Sequence, residues 1–248
     1  MTAARTGRVA FIVALSVAMV IALMLHGPIA QPPDYHAFAD QRTFFGVPDF
    51  WNVVSNLAFL IPGVVGACEV LNRRTLRLRA MYFVFFVGSC LVALGSGYYH
   101  LHPDNDTLVW DRLPMALVFM AFFSVIVADR ISERGARFMF YPLIVFALIS
   151  VAYWHFSGDL RLYVIAQFLP VLLIPLILIL FPAATGDAPL LWSVLAVYVV
   201  AKVFEFADGQ IFAALHVISG HTLKHVTAAL GVYFFLLAAR GRYANVAR

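Results

Sequence analysis

Two histidines with helical spacing are the first candidates for chemistry in this sequence. His221 and His225 are four residues apart, so on a helix both imidazoles share one face about 5 to 6 Å apart, as two ligands of one metal require. His100 lies at the end of a distant apolar run and provides a third imidazole. Three neutral imidazoles with an open fourth position are typical of catalytic zinc. The pattern predicts a hydrolytic zinc site; a chance pair and an interfacial histidine are the alternatives.

Two further residues fit a hydrolytic site. Asp111 begins the apolar run that follows His100, so a tight hairpin would return its carboxylate to that histidine as a general acid and base. Ser96 is one helical turn before His100 and on the same face, where its hydroxyl could hydrogen-bond an oxyanion or orient a ligand. Ser96 also suits helix packing as a small polar residue. The predicted catalytic residues are Asp111 and Ser96.

The composition places these residues in a membrane protein. Of the 248 residues 63% are apolar and 12% are charged, whereas soluble domains carry about 25% charged residues. A transmembrane helix needs about 20 mostly apolar residues. Eight stretches meet that need: 8–26, 50–71, 81–101, 110–128, 138–155, 161–181, 189–206 and 222–239. We predict an all-α, polytopic bundle of transmembrane helices. The first stretch also resembles a secretory signal, but its length and Pro28 favour a retained helix.

The distribution of charge predicts an orientation. By positive-inside counting, the arginine clusters fall on both termini and on alternate loops, so both ends of the chain should face the cytoplasm. These clusters are Arg5 and Arg8; Arg73, Arg74, Arg77 and Arg79; Arg130, Arg134 and Arg137; and Arg240, Arg242 and Arg248. All eight histidines then lie at the opposite face, which puts the zinc site at the outer leaflet. The short loops favour a bacterial inner membrane, no basic domain indicates nucleic acid as a partner, and the oligomeric state is not indicated.

Four ordered motifs extend over residues 35 to 240. They are Trp51-Asn52-Val53-Val54-Ser55-Asn56-Leu57, Ser96-x3-His100, Asp111-Arg112-Leu113-Pro114-Met115 and Gly220-His221-x3-His225. Together they resemble the alkaline ceramidase family, integral-membrane zinc amidases related to the adiponectin receptors. The resemblance implies a seven-helix core, preceded here by one extra N-terminal helix. It also implies hydrolysis of a linear amide bond in ceramide or a ceramide-like membrane lipid, with zinc on His100, His221 and His225, Asp111 as acid and base, and Ser96 beside the metal.

The resemblance also divides the chain. The predicted parts are an N-terminal transmembrane helix and the start of an outer loop (1–34), a ceramidase-like membrane domain (35–240) and a cytoplasmic tail (241–248). Eukaryotic members of the family carry an acidic N-terminal calcium site, and this sequence departs from it. Only Asp49 clearly matches, with Asp40 at a plausible distance, and Tyr35-His36-Ala37-Phe38 stands where the acidic cluster is expected. Calcium is therefore a doubtful second cofactor.

Two other classes of function stay open at this stage. Lys202 and Glu205 are three residues apart in an apolar run, where charges are costly and indicate an ion or proton path. An ion pair that stabilises the bundle explains them equally well. A transporter using Lys202 and Glu205 would depend on a gradient and need no zinc, whereas a hydrolase would lose activity with a chelator. A receptor-like member of the same fold is the other alternative, because fold does not fix function.

Overall fold

The computed structural model describes residues 3–183 and 186–246, with side chains as far as residue 243. Its α-helices are α1 Ala3–His26, α2 Phe50–Ser55, α3 Leu60–Asn72, α4 Arg79–Leu101, α5 Asn105–Arg130, α6 Glu133–Ser157, α7 Arg161–Leu180, α8 Ala188–Phe206, α9 Asp208–Leu215 and α10 Gly220–Val246. Short 3-10 helices cover Pro33–His36 and Asn56–Phe59. In these ranges the only β structure is two isolated bridges. The predicted all-α bundle is confirmed.

Eight helical segments of the described chain are long and apolar enough to cross a bilayer: α1, α2 with α3, α4, α5, α6, α7, α8 and α10. Each coincides with one of the eight predicted stretches, and the chain is an integral multi-pass membrane protein. Helix α10 continues through part of the predicted tail to Val246. Residues 1 and 2 of the predicted first part and residues 247 and 248 of the predicted tail lie outside the described residues.

The second span lies where the sequence predicts it, but it is not one continuous α-helix. It narrows to a 3-10 turn at Asn56–Phe59 between α2 and α3. The carbonyl of Asn52 accepts hydrogen bonds from the Asn56 side chain at 2.7 Å and the Ser55 hydroxyl at 3.2 Å, and such side chains compete with the helical ladder. Pro62 in the next turn has no N–H to donate. The turn buries the side chains of Asn52, Ser55 and Asn56 against the bundle.

The fourth span begins earlier than its apolar pattern indicates. The Asp104 side chain accepts a hydrogen bond from the Thr107 backbone N–H at 2.7 Å, and the Thr107 hydroxyl contacts the Asp104 backbone in return. This reciprocal cap fixes the start of α5 at Asn105, ahead of the predicted residue 110. The hydrogen bonds from Thr107 lower the pKa of the Asp104 carboxyl. A short, capped turn therefore joins α4 to α5.

Close backbone contacts align the helices that carry the candidate residues. At Gly95, a Cβ atom would overlap the carbonyl of Trp110, so α4 and α5 approach there more closely than a larger residue allows. At Gly220, a Cβ atom would overlap the carbonyl of Phe204, which brings the start of α10 against the end of α8. Deeper in the bundle the Phe235 ring lies 4.4 Å from Phe85, centroid to centroid. The ends of α4, α5, α8 and α10 therefore meet in one region.

The polar residues separate to the two ends of the bundle. At the end that holds the histidines, His36 Nδ1 lies 2.8 Å from the Tyr99 hydroxyl, on α4. At the other end, Arg5 of α1 donates to the Ile131 carbonyl at 3.0 Å, and Arg130 contacts Asp187 at 2.7 Å. These contacts gather the arginine clusters away from the histidines. Which membrane face each end meets stays a prediction.

Candidate active site

Three imidazoles converge at the histidine end of the bundle. His100 lies in the last turn of α4, and His221 and His225 lie in the first two turns of α10; all three are buried. The Nε2 atoms of His100 and His221 are 3.2 Å apart. One ring nitrogen from each histidine falls within 4.8 Å of the others. The structure thus brings together the three histidines that the sequence singles out as ligands.

The ring nitrogens fit a transition-metal ion. With Zn–N bonds of about 2.0–2.1 Å, two nitrogens of a tetrahedral site lie about 3.3 Å apart, close to the separation of the two Nε2 atoms. Nε2 of His225 and Nδ1 of His100 are buried without a hydrogen-bond partner among the described residues. Unpaired buried nitrogens are costly, and a metal would satisfy Nε2 of His225. Imidazole donors suit zinc, copper, iron or nickel, so the ligand set alone does not fix the metal.

A neighbouring hydroxyl orients one of these imidazoles, and a carboxylate holds the backbone of a second histidine. The Ser55 hydroxyl lies 2.8 Å from Nδ1 of His225 and leaves Nε2 of that ring to face the cluster. One carboxylate oxygen of Asp208 accepts from the His221 backbone N–H at 2.7 Å, and the other accepts from the Ala39 N–H at 2.9 Å. Such outer partners fix the orientation of metal-binding histidines. Ser55 lies within the first family motif, but its sequence position alone does not indicate this contact.

Asp111 and Ser96 face each other across α4 and α5. Both side chains are buried and adjacent, so the hydroxyl interacts with the carboxylate. Together with His225 they line one cavity of about 290 Å³, whereas His221 lines a separate hollow with Phe38. The structure therefore places both predicted catalytic residues on a wall that they share with one of the predicted ligands.

The cavity extends from this polar wall into an apolar space between helices. Its other walls include Phe85 of α4, Phe119 of α5, Ile174 of α7, Leu195 of α8 and Val232 of α10. An apolar pocket with a few convergent polar groups is the usual form of a binding site for a largely apolar ligand. The arrangement can hold a hydrocarbon chain while a polar group reaches Asp111, Ser96 and His225.

Lysines and a glutamate form a charged cluster beside the histidines. Lys202 pairs with Glu205, as in one of the two interpretations of the sequence. Lys224 reaches the same carboxylate at 3.4 Å, and its Nζ lies 3.2 Å from Nε2 of His221. All three charged side chains line the cavity. The cluster sets two lysines against one glutamate, and it borders the candidate metal site.

Of the two acidic residues considered for calcium, Asp40 is engaged in another contact. Both carboxylate oxygens of Asp40 accept from the Arg42 guanidinium, at 2.8 and 2.7 Å. Burial, and then the charge of Asp40, raise the pKa of the Asp49 carboxyl. A cation at Asp40 would have to displace Arg42.

Comparison with known proteins identifies the family. The model of the family described as ceramidase matches residues 45–207, and the chain belongs to this family, as the four motifs predicted. The matched range contains Ser96, His100 and Asp111 and ends before His221.

A curated relative is similar over a shorter stretch. Alkaline ceramidase 3 of Mus musculus is 33% identical over 69 residues, which are 28% of this chain and 25% of that protein. The match thus spans about a quarter of the relative's length. Family membership favours neither a transporter using Lys202 and Glu205 nor a receptor.

Proposed function

We propose that this protein is a zinc-dependent membrane amidase that hydrolyses the N-acyl amide of ceramide or a ceramide-like lipid to a fatty acid and a long-chain amine. The observation that carries the proposal is the convergence of three buried imidazoles, one of which, His225, lines the polar wall of an apolar cavity. Membership of the ceramidase family supports the same reaction class. Residues 35–240 would form the catalytic membrane domain, 1–34 would add α1 and the start of an outer loop, and 241–248 would form the tail.

In this proposal His100, His221 and His225 hold the metal. Zinc, when bound, supplies a Lewis acid that polarises the amide carbonyl and activates water. Ser55 fixes the ring of His225 through Nδ1, and Asp208 fixes the backbone of His221. Both partners belong to segments outside α10, so they hold the first turns of this helix in position before a metal arrives.

Asp111 and Ser96 carry the remaining chemistry. Asp111 accepts a proton from the attacking water and returns it to the amide nitrogen. The water oxygen bonds to the acyl carbon, the C–N bond breaks, and the proton ends on the departing amine. Ser96 donates a hydrogen bond to the oxyanion that forms during attack. The apolar walls hold the acyl chain so that the amide reaches both residues.

Metal analysis tests the proposal directly. The wild-type protein should contain about one zinc per chain, and His221→Ala should contain far less, because two remaining imidazoles hold zinc weakly. His216→Ala is the matched control, since this histidine is exposed and stands outside the cluster. Its metal content should equal the wild type, and chelation should stop ceramide hydrolysis until zinc is restored. Equal, near-zero zinc in all three proteins contradicts the proposal.

A further inference from the structure

One buried cation in the cavity forms no ion pair with a carboxylate of the described residues. Arg112 follows Asp111 on α5, is 4% exposed and lines the same cavity. Its Nη2 atom donates to Oε1 of Gln31 at 2.5 Å, but Nε and Nη1 have no acceptor among the described residues. Arg112 is also absent from the ion pairs of that part of the chain. A buried charge of this kind is costly unless a ligand satisfies it.

Aromatic rings hold the guanidinium of Arg112 in place. Its Cζ atom lies 4.1 Å from the ring centroid of Trp154, 4.8 Å from that of Tyr163 and 5.2 Å from that of Tyr35. Cation–π contacts of this length stabilise the charge. These contacts do not use the N–H groups, and those on Nε and Nη1 have no acceptor among the described residues. A fixed planar fork with unpaired N–H groups matches the paired oxygens of a carboxylate or a phosphate.

The other buried cations of the bundle are paired differently. Lys224, on the same cavity, contacts Glu205. At the far end, Arg130 and Arg242 both contact Asp187. Among the described residues the fold thus gives these cations a carboxylate at ion-pair distance, whereas Arg112 interacts with the charge of Asp111 only at longer range. Packing alone does not account for this difference, because an apolar side chain would fill the same aromatic site without the cost of burying a charge.

We propose that Arg112 binds an anionic group, a carboxylate or a phosphate, on the amine part of the amide-lipid substrate. The inference rests on the proposed amidase function and deepens it: acidic acyl amides are hydrolysed in preference to their neutral counterparts, ceramide among them. Asp111 returns a proton to the amide nitrogen, and Arg112 is the next residue on the same cavity wall. A group bound by Arg112 therefore belongs to the amine side of the scissile bond, while the acyl chain occupies the apolar space.

Two matched substrate pairs test this assignment on the zinc-loaded protein. The first pair is N-palmitoylglycine and the neutral N-palmitoylethanolamine; the second is ceramide 1-phosphate and ceramide. In Arg112→Gln, kcat/KM for the anionic member should fall roughly 10- to 100-fold, the range for losing hydrogen bonds to a charged group. The neutral member should change by less than about 3-fold, as expected for an uncharged contact. Arg134→Gln, an exposed arginine outside the cavity, should leave all four rates unchanged.

The pattern of results separates the outcomes. A response of the glycine pair alone identifies a carboxylate, and a response of the ceramide pair alone identifies a phosphate. Equal losses for both members of each pair, or no preference of the wild type for either anion, overturn the assignment. If the wild type hydrolyses none of the four lipids, the amidase proposal is contradicted independently of the role of Arg112. That role is then tested by measuring lipid binding.

Binding is measured without turnover in the Asp111→Asn background. N-palmitoylglycine or ceramide 1-phosphate should raise Tm more than its neutral counterpart, and the excess should vanish when Arg112→Gln is added. Arg112→Lys keeps the charge and loses the fork, so it replaces Arg112→Gln if that variant does not fold; it should retain part of the excess. Identical shifts for anionic and neutral lipids with Arg112 intact overturn the inference whatever the variants do.

Discussion

Asp111 and Asp106 are carboxylates on one helix in opposite surroundings. Asp111 is buried beside Ser96 on the cavity wall, whereas the side chain of Asp106, in the first turn of α5, is 88% exposed. In Asp111→Asn the amide keeps the shape of the carboxyl group but cannot accept and return a proton, so kcat for ceramide hydrolysis should fall about 10²- to 10⁴-fold. The zinc content should be unchanged. Asp106→Asn should retain wild-type kcat. An Asp111→Asn protein as fast as the wild type would remove this residue from the mechanism.

The Ser55 hydroxyl contacts a candidate metal ligand from another helix, whereas the buried Ser89 hydroxyl donates to the Phe85 carbonyl of its own helix. Loss of a group that orients a metal-binding histidine typically weakens metal affinity about 10- to 100-fold. Zinc titration against a competing chelator should therefore show weaker binding for Ser55→Ala and wild-type binding for Ser89→Ala. If both variants bind zinc equally, the contact with Ser55 does not position His225.

Local spacing reveals the histidine pair, but it does not reveal the groups that orient it. His221 and His225 share a helix face, so their sequence separation carries the geometry. Ser55 and His225 are 170 residues apart, and no periodicity links them. Trp154 shows the same limit: near the end of a span it suggests an interfacial aromatic, yet it is 2% exposed and stacks on Arg112. Such roles depend on which helices become neighbours.

Among the elements, hydropathy predicts that spans exist, and local hydrogen bonds decide their ends. The apolar run after His100 predicts a helix from residue 110, but the cap at Asp104 starts α5 at Asn105. The 3-10 turn at Asn56–Phe59 lies within an apolar stretch whose average hydropathy shows no break. The sequence signal for this turn is a set of three polar residues, Asn52, Ser55 and Asn56. Hydropathy averaged over the whole span hides them.

The close backbone contact between α4 and α5 can be tested by substituting glycines of α4. Gly95 and Gly97 flank Ser96, but a Cβ at Gly95 would overlap the Trp110 carbonyl, whereas the nearest atom to a Cβ at Gly97 is 3.9 Å away. Gly95→Ala should cost about 1–3 kcal/mol of stability by overpacking and lower activity by displacing Asp111 from Ser96. Gly97→Ala should be neutral or slightly stabilising. Thermal unfolding and turnover check both variants, and equal Tm values would mean that the contact adapts freely.

Across the whole molecule, the charges form two layers with different tasks. At the arginine end, Asp187 accepts from both Arg130 and Arg242, and Arg5 contacts the end of α5. At the histidine end, the charged groups surround the cavity and the three imidazoles. The first layer links helices at one end of the bundle, and the second surrounds the candidate site. The positions of the arginines in the sequence predict this division. With eight spans, both termini and every second loop lie at the same end of the bundle, and these segments carry the arginine clusters.

That division predicts how the molecule is oriented. If arginine-rich loops stay in the cytoplasm, green fluorescent protein fused after residue 248 should fluoresce. Alkaline phosphatase, which folds only after export, should be active when fused after Gly158, between α6 and α7, and inactive when fused after Ser132, between α5 and α6. These loops lie at opposite ends of α6, so each serves as the other's control. The reverse pattern would place the histidines at the cytoplasmic face, and the amidase would then draw its lipid from the inner leaflet.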